Sequence, residues 1–96
     1  MPRKFPPLTP AEVTAILRAR GFVLHRTHGS HAHYHGVIKG IKCVVTVDMN
    51  YREFDPGRIG DMMQQANLTR GEFYGSTNGT AKKINLIALK YPVPLK

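Results

Sequence analysis

Ser30-His31-Ala32-His33-Tyr34-His35-Gly36-Val37-Ile38-Lys39-Gly40-Ile41-Lys42-Cys43-Val44-Val45-Thr46-Val47 reads as two strands joined by a tight turn. From Ile41 to Val47 the residues are β-branched and apolar, which suits a half-buried strand. From Ser30 to Ile38 the side chains alternate, so that His31, His33 and His35 share one face and Ala32 and Tyr34 the other. Lys39-Gly40 is short enough for a hairpin, and glycine supplies the backbone freedom such a turn needs. Upstream, Phe22-Val23-Leu24-His25-Arg26 reads as a third strand, with Phe22, Leu24 and Arg26 on one side and Val23 and His25 on the other. Thr27-His28-Gly29 forms the link. Short links imply an antiparallel meander.

Helices flank this meander. Thr9, Pro10 and Glu12 supply an N-cap, a first-turn proline and a capping box. Val13, Ile16 and Leu17 then form one apolar stripe, and Gly21 closes the helix. Asp55-Pro56 opens a second helix with Ile59, Met62, Met63 and Ala66 as its stripe and Asn67 as a left-handed stop. Thr69 and Glu72 make a second capping box around a further turn. Gly75 to Thr80 has linker composition. Ile84, Ile87, Ala88 and Tyr91 then have the spacing of a short helix ended by Pro92. The expected fold is therefore α+β: a three-stranded antiparallel sheet with two helices on one face, in the order α-β-β-β-α, and a C-terminal tail. The expected division is 1–75 as the functional domain and 76–96 as linker and extension. Burying both helical stripes on one sheet face leaves the other face open.

Charge narrows the partners. The 96 residues carry 14 Lys and Arg against 6 Asp and Glu, a net charge of +8, which favours polyanions. The basic residues are scattered, without a polybasic membrane anchor, and no apolar run reaches the ~18 residues of a membrane span. The proline-rich N-terminus lacks an apolar signal core. The one cysteine, Cys43, sits in an apolar run and reads as a small buried hydrophobe. Together these point to a cytoplasmic protein.

Four of the five histidines, His28, His31, His33 and His35, fall within eight positions. Imidazole, with an ordinary pKa of about 6.5, exchanges protons near neutrality. On a basic protein this suggests phosphodiester chemistry, in which His31 serves as general acid or base. Gly29 allows close backbone approach, and Ser30, Tyr34, Lys42, His28 and His33 are candidate helpers. Gly57-Arg58, at a helix start, could present N–H groups and a cation to phosphate. The competing reading is an exposed polar strand face that happens to be histidine-rich. A metal site is disfavoured: His31 and His35 are ~13 Å apart on an extended strand, and no HExxH or cysteine pair accompanies them. Asp48, Glu53 and Asp55 are read as a solvated loop and a helix cap.

Several pieces, in order, also resemble one family. Arg20-Gly21-Phe22, Gly29-Ser30-His31, Gly57-Arg58-Ile59, and Gln65-Ala66-Asn67-Leu68-Thr69 followed by Glu72-Phe73 are similar to the motifs of HicA-type toxins, the mRNA-cleaving partners of HicB antitoxins. The likeness runs from about Leu8 to Tyr74. It implies a fold like that of double-stranded-RNA-binding domains, ribonuclease activity residing in His31, and neutralisation by an antitoxin covering the active face. The chain departs from the family pattern at Ala32, at Asp48-Met49-Asn50 and at Asn67. The resulting expectation is a metal-independent endoribonuclease that takes no cofactor and cleaves mRNA. His31 would be catalytic, with Gly29, Ser30, His33, Arg26, Lys42 and Arg58 holding substrate. RNA and a HicB-like antitoxin would be its partners. The alternative is a non-catalytic RNA-binding module of the same fold.

Overall fold

The computed structural model describes residues 4–96. Helix α1, Pro10–Ala19, starts on Thr9, whose hydroxyl accepts from the Glu12 N–H while the Glu12 carboxylate accepts from the Thr9 N–H. It ends where Gly21 takes a positive φ of 87°. There the Phe22 N–H reaches back to the Leu17 carbonyl and the Gly21 N–H to that of Arg18, so two end carbonyls are satisfied as the chain turns into the sheet.

Strands β1 (Val23–His28), β2 (His31–Ile38) and β3 (Ile41–Asp48) form one antiparallel sheet in sequence order. Both hairpins have two-residue turns. Lys39 and Gly40 each have positive φ (54° and 80°), the requirement of a type I′ turn. In the first hairpin His28 pairs with His31, so Gly29-Ser30 is the turn and only Gly29 has positive φ, 61°. The turn expected at Thr27-His28-Gly29 is thus displaced, because Thr27 and His28 remain paired to β2.

Helix α2, Pro56–Ala66, is capped by Asp55 and stops at Asn67, which takes the left-handed conformation with φ 58°. Both α1 and α2 pack against β3. Their stripes (Val13, Ile16, Leu17; Ile59, Met62, Met63, Ala66) close over Ala32, Tyr34, Ile38, Cys43, Val45 and Val47. This is the expected α+β arrangement, with the helices on one side and the histidine face of the sheet open. Strand β1 lies beyond their cover, and all six of its residues are exposed.

Two expectations for the C-terminal part are corrected. Residues 75–80, read as a linker, fold: α3 (Arg70–Tyr74) is followed by α4 (Asn78–Ala81) and a 3-10 turn, Lys82–Ile84. Small polar residues, which look like linker by composition, are here buried and bonded. Ser76 donates to the Glu72 carbonyl and Thr80 to that of Tyr74. The helix expected over Ile84–Tyr91 is absent. Asn85 turns left-handed at φ 56°, and the Tyr91 hydroxyl takes the place of helical bonding by donating to the Leu86 carbonyl and accepting from the Ala88 N–H. The tail is fastened by Arg20, whose guanidinium donates to Ser76 Oγ and to the carbonyls of Glu72 and Val93. No helix among the described residues is long and apolar enough to cross a membrane.

Candidate active site

His31 stands directly after the Gly29-Ser30 turn, at the end of β2. Antiparallel register places Asp48, the last residue of β3, opposite it. His31 Nε2 lies 3.5 Å from Asp48 Oδ2, within ion-pair reach and long for a hydrogen bond. The histidine side chain is 53% exposed and the carboxylate 25%, so the ring is presented outward with the acid behind it. The Asn50 N–H, 3.0 Å from Oδ1, holds the Asp48 carboxyl below the usual carboxylate range. Partial burial opposes this, and the Ser30 hydroxyl, His31 and Arg58 add to it. Asp48 is therefore ionised at neutral pH.

The start of α2 forms the other wall. His31, Asp48, Tyr51, Arg58, Asp61 and Gln65 all line one groove of about 230 Å³ between the sheet end and the helix. Arg58 is fixed on two sides: its guanidinium sits 4.6 Å from the centroid of the Tyr51 ring and donates to Asp55 Oδ2 at 2.7 Å. Tyr51 in turn stacks on buried Phe54. The first turn of α2 thus places a cation in the same groove as the histidine.

The remaining expected site residues divide into two groups. His33 follows His31 on the same face, with Nδ1 3.0 Å from the Thr46 hydroxyl. Arg26 pairs with His33, and both line a second depression with His25 and His35. Strict alternation would have put Arg26 with Leu24, on the side away from His25. A bulge between Leu24 and Arg26 absorbs His25 as an extra residue and brings Arg26 onto the open face. His25 stacks on His35 there, ring centroids 4.1 Å apart. Gly29 and Ser30 form the turn that positions His31. Lys42 is not brought to His31. It lies opposite Val37 at the far end of the open face, ~20 Å along β3 from Asp48 at the rise of an extended strand.

Asp48, read from sequence as part of a solvated loop, is the neighbour that sequence reasoning missed. Counting back residue by residue from the Lys39-Gly40 turn pairs it with His31, so the signal was there. Tyr51, Asp61 and Gln65 were missed as well; they depend on how α2 lies against β3, which no local pattern encodes. Among the described residues, no cluster of three or more His, Cys, Asp or Glu is arranged to hold a metal ion.

Fold and groove together define a small, basic α+β protein that offers an exposed histidine and flanking cations on an uncovered sheet face. Residues 10–68 match the family described as HicA toxin of bacterial toxin-antitoxin, and the protein belongs to that HicA toxin family. Membership implies an antitoxin partner. No curated protein and no solved structure matches the chain.

Proposed function

We propose that this toxin is a metal-independent endoribonuclease acting on mRNA in the cytoplasm, with residues 1–75 carrying the activity and a HicB-like antitoxin restraining it. The supporting observation is the exposed His31 ring set 3.5 Å from the ionised Asp48 carboxylate in a groove shared with Arg58.

In this reaction His31 takes the proton of an RNA 2′-hydroxyl. The 2′-oxygen bonds to the adjacent phosphorus, the bond from phosphorus to the 5′-oxygen breaks, and the leaving oxygen takes a proton from solvent water, to which His31 afterwards returns the proton it took. The products are a 2′,3′-cyclic phosphate and a 5′-hydroxyl. Asp48 balances the imidazolium that forms, while Arg58 offsets charge on the phosphorane. The turn at Gly29 and Ser30 sets the ring at the rim. His33 and Arg26 line the path of the backbone along the open face, and Lys42 meets it at the far end.

The test is incubation of a short RNA with the protein in strong chelator, with the ends identified by mass spectrometry. The expected result is undiminished cleavage leaving cyclic phosphate ends or their hydrolysis products. Activity lost in chelator and restored by zinc would make His31 a metal ligand instead. Binding to RNA without cleavage would favour the non-catalytic module. In either case affinity should fall with salt, by roughly 0.7 in log K per decade for each phosphate contact on a single strand.

A further inference from the structure

Across the groove from His31 lie two polar side chains that the reaction does not use. Asp61 and Gln65 are four residues apart on α2 and so share one helix face. Gln65 has a defined orientation. The Thr46 backbone N–H, which can only donate, lies 3.2 Å from its amide oxygen, so the amide nitrogen is the end left to donate elsewhere. Asp61 makes no ion pair among the described residues, although Arg58 is one turn away, because Arg58 is engaged by Asp55. The helix face thus presents, in order, a donor and a two-oxygen acceptor.

We propose that Asp61 and Gln65 form a guanine-recognition subsite for the nucleotide whose 2′-hydroxyl faces His31; this rests on the ribonuclease reading above. The Watson–Crick edge of guanine presents one acceptor (O6) followed by two donors (N1–H and the 2-amino group). Gln65 donates to O6, and the Asp61 carboxylate accepts from N1–H and the 2-amino group. The other bases conflict with this order. Adenine and cytosine place an amino group against the Gln65 amide nitrogen and a ring acceptor toward Asp61. Uracil matches the amide with O4 and Asp61 with N3–H, then sets O2 against the second carboxylate oxygen. The groove, about 230 Å³, is smaller than the ~300–1,000 Å³ of pockets that enclose whole ligands, which suits partial seating of one nucleotide, its base edge toward α2 and its 2′-hydroxyl toward His31.

The experiment titrates the intact protein with the four nucleoside 3′-monophosphates and, separately, maps its cuts in a mixed-sequence RNA. Guanosine 3′-monophosphate should bind about tenfold more tightly than the adenosine compound, in line with one well-placed bidentate contact. Cuts should fall on the 3′ side of guanosines. Asp61→Asn and Gln65→Glu both lie on the exposed helix face, and the second keeps an acceptor for the Thr46 N–H. Each should erase the guanosine preference by weakening guanosine 3′-monophosphate binding without weakening that of the adenosine compound. Equal affinity for all four nucleotides, or a preference that survives both substitutions, overturns the subsite. RNA still cleaved with no base preference would do the same and leave the ribonuclease reading standing. A guanosine preference that disappears in both variants supports the subsite even if no RNA is cut, and the failure then belongs to the catalytic reading.

Discussion

Replacing His31 by alanine is expected to lower single-turnover RNA cleavage on the order of 10²–10⁴-fold, the contribution of a positioned proton-transfer group. Folding and RNA affinity should be nearly unchanged. The ring is more than half exposed and contributes no buried packing, so its loss should cost stability about 0.5 kcal/mol or less. The charge it leaves behind on Asp48 is still bonded by the Asn50 N–H. His33→Ala and His35→Ala are the controls. The first loses a bond to Thr46 and the second a stacking partner, His25; neither faces Asp48, and both should retain most of the rate. Thermal melting, RNA binding and single-turnover kinetics on the three variants decide the matter. An unfolded His31→Ala would make the residue structural. A folded variant cleaving at the parental rate would move the reaction elsewhere.

Glu72 should give the largest effect on stability. It is 3% exposed and gathers the Lys39 ammonium and the N–H groups of Thr69 and Lys96, each at 2.8 Å. Burial pushes its carboxyl up, and these partners together outweigh burial and hold it at about 2, against an ordinary 4.5. The folded form therefore keeps its proton off where the unfolded chain would take one up. The resulting stabilisation is complete above the unfolded value of 4.5 and is lost as pH falls toward 2. A shift of this size corresponds to roughly 3 kcal/mol, a large share of the ~5–15 kcal/mol of a small domain. Glu72→Gln should lower the melting temperature at pH 7 by roughly 10 °C or more, and the gap to the parent should close near pH 2–3. Parallel melting curves for the two proteins across that range would show that the carboxylate is not the source.

Much of the fold is local chemistry, and that part was legible. Thr9 with Glu12 and Thr69 with Glu72 announce their helices because both capping boxes lie within four consecutive residues. Lys39-Gly40 announces its hairpin through a glycine set between two strand-patterned runs. The open face followed from having two helical stripes and one sheet to bury them. His31 was visible as a candidate for the same reason, since alternation along β2 puts the histidines on the uncovered side. What was hidden depends on tertiary choices. The Leu24–Arg26 bulge has no sequence mark, and period-two reasoning sent Arg26 to the wrong side. Ser76 and Thr80 read as linker until their hydroxyls find carbonyls of α3. Gln65 becomes informative only once α2 lies along β3 and its amide meets the Thr46 N–H.

The bulge in β1 also leaves one position of the strand spare in its pairing. With His25 as the extra residue, Arg26 and His28 fall in phase with His33 and His31. Exchanging His25 for another residue leaves that phase intact. Deleting His25 would restore plain alternation with Leu24 still opposite Tyr34 and Arg26 still opposite His33, and every residue from Gly29 onward would keep its place. An exposed strand of this kind tolerates substitution as a surface loop does and, at its one extra residue, can absorb a missing codon as a loop can.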